Sequence, residues 1–451
     1  MFDLSKDFED FYKNNVVLQN DKQNDLRNKK NLNITRLKDG LNDYNQENNT
    51  DYRISNTIVQ GSMAMHTVVQ NDSNDYDIDV AIIFEKENLK DKGPLAVRNI
   101  VANALKRKCE NFKKEPEVKT NCVRIEYQDG YHVDFAVYRR YKKENESEYT
   151  YEHAGSEWTL RDPKAINNWF KDEIKDKGQC LRKVIRFSKM FCKSRDSWAN
   201  MPGGLIQTVL CDEKIQNSYE RIDEIFYHTI LEVKNRLDND INVYNPTDTS
   251  LSLLSTKDHE NKVENFKNRL NDKLKKLDVL FESDCDRSKA RNAWYEFFNH
   301  DYWQEDTSNE QVQKYSSSYR NTEEFIEDLV NINEQYYVKV SCNVEANGFR
   351  LQPIKKLLKS LPKGWLPHGF SIKFNVDNTN VPKPYDVWWK VRNVGDVAEK
   401  KDMIRGQIEK HVGNHKQEHS DFFGNHYVEC YIIKDNECVA IDHIEVPIDI
   451  K

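Results

Sequence analysis

Thr57-Ile-Val-Gln-Gly-Ser-Met-Ala-Met-His-Thr-Val-Val69, then after a polar turn Asp75-Tyr-Asp-Ile-Asp-Val-Ala-Ile-Ile-Phe84, is the stretch on which the fold turns. The run 76–84 is β-branched and aromatic, which predicts a strand. Side chains alternate faces along a strand, so Asp77 and Asp79 point the same way. Two ionised carboxylates side by side repel, and a divalent cation between them removes that cost. Hard oxygen ligands on a rigid strand suit Mg²⁺ or Mn²⁺. Upstream, Gln60-Gly61-Ser62 ends a short strand over 57–60 and is expected to open a helix. Glycine lets the backbone approach an anion, and the free N–H groups and Ser62 hydroxyl are placed to hold phosphate oxygens. A phosphate cradle beside a metal-binding acid pair is the layout for transfer from a nucleoside triphosphate.

A third acid stands farther along. Cys122-Val-Arg-Ile-Glu-Tyr127 and Tyr131-His-Val-Asp-Phe-Ala-Val-Tyr138 read as a hairpin turning over 128–130. Val133, Phe135 and Val137 share one face of the second strand, and His132, Asp134 and Ala136 the other. Beside the first pair, Asp134 would complete a three-carboxylate site. His132 reads as its hydrogen-bonded neighbour.

The chain has 451 residues, 32% charged and 37% hydrophobic, which implies two or three folding units with a well-solvated surface. The formal net charge of -7 argues against a generally basic nucleic-acid-binding protein. No run approaches the ~18 apolar residues of a membrane span, and the acidic start lacks an apolar signal core, so a cytoplasmic protein with no membrane partner is expected. Nine scattered cysteines without a Cys-x-x-Cys pair read as reduced structural thiols.

The expected fold class is α+β: a sheet-bearing core with a helical subdomain, then a small C-terminal β-sandwich. Residues 1–165 are expected to form the catalytic core with an N-terminal brace helix over 3–49. Residues 166–303 follow as a helical subdomain completing the cleft, with helices over 165–177, 179–195, 205–211, 218–237, 265–281 and 288–298 and a loop over 242–262. The Ser-, Gln- and Asn-rich 304–322 read as a linker. Residues 323–451 form a β-rich domain, beginning with a short acidic helix over 323–331.

Gly61-Ser62, Asp77-x-Asp79 and Asp134, in that order, resemble the polymerase-beta nucleotidyltransferase superfamily. Gly61-Ser62 with Thr67, then Asp75 to Val80, then His132-Val-Asp-Phe135, resemble its CD-NTase family, the bacterial cGAS/DncV-like enzymes. Leu181-Arg-Lys-Val-Ile-Arg-Phe-Ser-Lys189 resembles that family's basic helix, and Pro202-Gly-Gly-Leu-Ile-Gln-Thr208 its next helix start. Tyr385 to Gly395, Arg405 to Ile408 and Gly424 to Tyr431 resemble the adenylyl/guanylyl cyclase and SMODS C-terminal sensor (AGS-C) domain. The resemblance implies a synthase of cyclic oligonucleotide second messengers in CBASS-like antiphage signalling. Its expected substrates are ATP and other nucleoside triphosphates, with a downstream effector for the product and an unidentified trigger for the C-terminal domain. It also implies two Mg²⁺ or Mn²⁺ ions on Asp77, Asp79 and Asp134, phosphates on Gln60, Gly61 and Ser62, and leaving-group charge on Lys189, with Thr208 adding a hydroxyl. The same site admits nucleotide addition to RNA, or linear oligoadenylates. A non-catalytic nucleotide sensor is the other class, and the presence of all three acids speaks against it.

Bland readings stand beside these. Lys183, Arg186, Lys189 and Lys193 also fit a solvated helix face, and Thr208 a helix cap. His411, His415 and His419 recur every four residues, which on a helix gives a solvated stripe or a metal set. Of Trp388 and Trp389, adjacent on a strand, one is expected in the core; Trp365 reads as a turn anchor.

Overall fold

The computed structural model describes all residues except 72–75, 110–111, 145, 199, 305–322, 346–351, 362–363, 396, 399–402, 421–422 and 450–451, and the side chains of 20 and 21. Asp75 and nearly all of the expected linker therefore lie outside the described residues. The chain divides into two compact units, Met1–Ser55 with Val59–Ser308 and Asn56–Ile58 with Asn309–Lys451.

The first unit opens with α1 (Ser5–Phe11), a π-helical turn (Tyr12–Val16) and the long α2 (Asn20–Asn48). The single helix expected over 3–49 is thus broken: Val17 turns extended and bridges Val69. The two pieces serve different cores. Phe8 and Phe11 of α1 are fully buried among Phe187, Trp294, Phe298 and Trp303, with the Phe8 ring 4.7 Å from that of Trp294. α1 thus packs with the helical part, although the expected division at residue 165 grouped it with the sheet. Gly40 lets α2 lie close to a later helix, α5 (Pro94–Lys106): a Cβ there would meet the Ala104 carbonyl oxygen.

The sheet has seven strands, β1 (Ile54–Gln60), β2 (Tyr76–Glu85), β3 (Glu117–Val118), β4 (Val123–Glu126), β5 (Tyr131–Tyr141), β6 (Thr150–Ala154) and β7 (Trp158–Leu160). Their order is β1-β2-β5-β4-β3, with β6 joining β5 to β7. β2 and β5 are parallel, and the expected β4/β5 hairpin is antiparallel. The one-turn helices α3 (Gly61–Ala64) and α4 (Lys86–Leu89) flank β2. Ile78, Val80, Ile82 and Phe84 are fully buried, which fixes the register of β2: a one-residue slip would bring its acids into the core.

The helical part comprises α6 (Ala165–Lys177), α7 (Gln179–Lys193), α8 (Gly204–Lys214), α9 (Ile222–Asn239), α10 (Lys257–Leu274) and α11 (Arg287–Phe298). The expected loop over 242–262 instead holds a hairpin, β8 (Tyr244–Asn245) with β9 (Asp248–Ser252), and the start of α10. Thr256 caps that helix by accepting the His259 N–H at 3.3 Å, with Asp258 and Glu260 in the first turn.

The second unit is a two-sheet sandwich. One sheet orders β10 (Asn331–Ile332), β19 (Glu437–Asp449), β18 (Gly424–Lys434), β15 (Asp386–Arg392) and β16 (Arg405–Glu409), with β13 (Leu366–Pro367) on β19. The other orders β12 (Gln352–Pro353), β11 (Val338–Glu345), β14 (Ser371–Thr379) and β17 (His415–His419). Short helices α12 (Ile326–Leu329) and α13 (Ile354–Ser360) complete it; the acidic helix expected over 323–331 shrinks to α12. Trp389, Phe374, Val428 and Ile432 meet in its core, and the Trp389 indole donates to the Gly413 carbonyl at 2.8 Å. Trp388, on the opposite face, is buried as well, with the Lys410 ammonium 5.0 Å from its ring centre. Trp365 stacks on Phe423 at 5.4 Å. The histidine triplet is not helical: His411 has positive φ beside Asp386, and His415 and His419 are the exposed ends of β17.

A buried ionic cluster lies on the Trp388 face of β15. Glu323 accepts from Lys390 at 2.9 Å, Arg392 at 3.3 Å and the Tyr427 hydroxyl at 2.7 Å, while Glu429 accepts from Tyr431 at 2.8 Å. Burial alone would raise the Glu323 carboxyl; Lys390 and then Arg392 outweigh it and hold it below the ordinary glutamate range. A depressed carboxyl stabilises the fold above its unfolded pKa and loses that contribution as the pH falls through its folded one. Glu323→Gln should therefore cost this unit about 3 kcal/mol at neutral pH in urea unfolding, because buried Lys390 keeps only Glu429 and Arg392 loses its carboxylate. The difference from the parent should shrink as the pH is lowered below the glutamate range.

Candidate active site

β1 ends at Gln60 in extended conformation, and the chain turns at once through Gly61, whose φ is +66°. That sign favours glycine. Space demands it too: a Cβ on Gly61 would lie 2.0 Å from Asp79 Oδ2. The expected helix after the Gly-Ser pair is one turn long, so its dipole contributes little and the backbone N–H directions are what it offers. Gln60 is fixed by donating to the Pro163 carbonyl at 2.7 Å.

Asp77 stands level with His132 across the parallel β2/β5 pair, and Asp79 level with Asp134. All four share one face. Asp79 is half-buried. Burial, then Asp77, then Asp134 push its carboxyl up to about 8, against the pull of Arg124 and Arg161. Asp134 is buried and forked by Arg124, which stands opposite it on β4: Nε donates to Oδ1 at 2.7 Å and Nη2 to Oδ2 at 2.6 Å. The Cys122 thiol is pushed up to about 12 by burial and by Asp134, which makes it a poor nucleophile.

Lys189, from α7, closes the other side. Its Nζ donates to Thr67 Oγ1 at 2.8 Å and to the Thr67 carbonyl at 3.1 Å. Burial lowers it to about 7, opposed by Asp77. Of the rest of α7's basic series, Lys193 is exposed as on a solvated face, while three others meet particular partners. Arg182 donates to the Met65 carbonyl, Lys183 pairs with Glu9, and Arg186 donates to the Tyr12 hydroxyl. These cations tie α7 to the N-terminal segment and to the loop after the Gly-Ser turn.

Between these walls runs a cleft of about 1540 Å³, lined by Gln60, Gly61, Ser62, Asp77, Asp79, Asp134 and Lys189. Thr208 is absent from the lining and caps nothing. α8 begins at Gly204, so Thr208 falls one turn inside it and donates back to the Gly204 carbonyl at 2.8 Å. Gln207 faces the cleft instead, held by Ser188 and the Pro202 carbonyl. Arg124, Arg161 and Gln207 were not singled out from the sequence. Arg124 was findable: strand alternation and the three-residue turn 128–130 put it opposite Asp134. The chemistry of the donor set fits divalent cations: carboxylate oxygens on one sheet face, with one carboxyl raised by its neighbours.

Residues 55–138 match the nucleotidyltransferase domain of the cyclic GMP-AMP synthase DncV-like family, and residues 320–449 match the adenylyl/guanylyl and SMODS C-terminal sensor domain. A cyclic GMP-AMP synthase of Escherichia albertii is 24% identical over 402 residues, 86% of this chain and 83% of that protein. Among solved structures, CdnC of E. coli MS115-1 with ATP superposes with a TM-score of 0.51 at 14% identity, over 66% of this chain and 98% of that one. Vibrio cholerae DncV with a linear intermediate superposes with a TM-score of 0.52 at 17% identity, over 65% and 94%. At these identities the structural likeness speaks to fold. The fold and the Gly-Ser and acid motifs define a nucleotidyltransferase of the polymerase-beta type. Over residues 55–138 the chain is similar to the cGAS/DncV-like CD-NTases, and over residues 320–449 to the AGS-C domain.

Two outcomes follow from the geometry. Gly61→Ala, with a Cβ driven into Asp79, should lower pyrophosphate release at least ~100-fold and lower the thermal midpoint by several degrees. A carboxyl raised in the fold keeps a proton that the unfolded chain has already lost, so stability falls as the pH rises between the two pKa values. Asp79→Asn removes this loss. In EDTA its stability relative to the parent should rise between about pH 5 and pH 8, by on the order of 2 kcal/mol, in denaturant titrations.

Proposed function

We propose that this protein condenses nucleoside triphosphates into a cyclic oligonucleotide second messenger, releasing pyrophosphate. The observation that carries it is the convergence of Asp77, Asp79 and Asp134 on one sheet face, with Gly61-Ser62 beside them and Lys189 across a cleft of about 1540 Å³. That volume admits a donor and an acceptor nucleotide together, each on the order of 400 Å³.

Asp77 and Asp79, with Asp134, would hold two divalent ions, which when bound neutralise charge at the α-phosphate and activate the acceptor hydroxyl. The residues do the rest. Gly61 and Ser62 present N–H groups and a hydroxyl to the β- and γ-phosphates. The Lys189 ammonium, already aimed across the cleft by Thr67, takes up charge on the leaving pyrophosphate. Because burial lowers Lys189 to about 7, an arriving triphosphate would also restore its full charge. Asp134, once released from Arg124, would face the acceptor hydroxyl and take its proton. A first product kept in the cleft then serves as donor for ring closure.

ATP is the first substrate to test, since CdnC is seen with ATP and the DncV intermediate joins adenosine to guanosine. The family supports a role in antiphage signalling of the CBASS type, with an effector that reads the product and a trigger that acts on the AGS-C domain. No helix among the described residues is long and apolar enough to cross a membrane, in keeping with action in the cytoplasm.

The test incubates the full chain with four labelled nucleoside triphosphates, in Mg²⁺ and separately in Mn²⁺, followed by phosphatase and chromatography. A phosphatase-resistant product, lost in Asp77→Ala/Asp79→Ala, is expected. Only phosphatase-sensitive oligomers, or tailing of added RNA, would overturn the cyclase reading.

A further inference from the structure

Both oxygens of Asp134 are already taken by Arg124, through two parallel hydrogen bonds of 2.7 and 2.6 Å. This is the fork geometry in which guanidinium binds carboxylate best. The acid side chain is 9% exposed, the arginine side chain 26%. The pair therefore lies at the rim of the acid cluster, with the carboxylate inside and the cation partly in solvent. Among the described residues no group of three or more His, Cys, Asp or Glu side chains is gathered to enclose a metal ion. Asp134 is turned toward a guanidinium instead.

We propose that Arg124 is the resident counter-cation of this site, standing where a divalent ion comes to act on Asp134 and competing with that ion. The inference rests on the reading above that Asp134 is a cation ligand. Arginine stays charged throughout the working pH range, so the competition does not switch off. A bare cation must displace the fork and remain near its charge. A cation arriving with a triphosphate brings new anionic oxygens, which give the freed guanidinium an alternative partner. Arg124 thus makes cation loading conditional on nucleotide. It acts through Asp134 and is a positioning residue.

Mn²⁺ binding to the nucleotide-free full chain, followed by electron paramagnetic resonance, tests this. Arg124→Gln should tighten Mn²⁺ binding about five- to tenfold, since one unit of repelling charge is gone. Arg124→Lys keeps the charge and loses the fork, and should stay within about twofold of the parent. With excess ATP present, the gain from Arg124→Gln should largely vanish. An unchanged or weakened affinity in Arg124→Gln, with native circular dichroism, overturns the proposal. If that variant fails to fold, Arg124→Lys decides: binding weakened about tenfold or more would mean that the fork orients Asp134 for the metal, and the proposal falls. Asp134→Asn separates the underlying reading. If it leaves Mn²⁺ affinity unchanged, Asp134 is no ligand and the premise fails; if it weakens binding while Arg124→Gln does not tighten it, the premise stands and the competition is wrong.

Discussion

Asp79 is a carboxyl crowded by two others, and the sheet face is arranged around that strain. Burial and the neighbouring acids both disfavour its charge. Strand β2 nevertheless fixes it in place, because the apolar residues between and beyond the acids leave the register no freedom. The surroundings answer in cations and in space. Arg124 forks Asp134, Arg161 adds its field, and Gly61 leaves room for the Asp79 oxygen. A site held so far from electrostatic balance is poised to bind positive charge, which is what chemistry on polyphosphates requires.

The opposite wall shows the same economy. α7 carries a dense basic series, and each described cation on its inner side is spent on a particular oxygen: the Met65 carbonyl, Glu9, the Tyr12 hydroxyl, Thr67. The helix that supplies Lys189 is thereby tied to the loop that follows the Gly61-Ser62 turn. A movement of that loop would move the lysine with it, so the two halves of the cleft act as one body.

The catalytic sheet was legible because its signals are local. Asp77 and Asp79 lie two apart on an apolar strand, and Asp134 repeats the pattern on a strand whose turn is written in Asp129-Gly130. The class of fold followed from these with the family resemblance. Other features depend on tertiary context. The break after Val16 falls at the short apolar run Val16-Val17-Leu18, which sequence alone allows to continue a helix; what ends the helix is a bridge to Val69. Thr208 was misplaced because α8 starts at Gly204, one turn earlier than a cap at 208 requires. β16 and β17 went unseen: His415-Lys-Gln-Glu-His419 is an edge strand without an apolar face, pairing along β14 through its backbone and a bond from Gln417 to the Ser371 hydroxyl. α7's cations looked like a solvated face because sequence does not show which oxygens a helix will meet.

The acids that define the site lie roughly 55 positions apart in the chain, yet they stand level on adjacent parallel strands. Parallel pairing needs a crossover, here running through α5 and the β3/β4 hairpin region. No fragment ending before β5 can hold the full set, so a growing polypeptide acquires its third acid only when that strand has left the ribosome and docked. The acid set is complete only once β5 has docked, and Lys189, on the later helix α7, joins it later still.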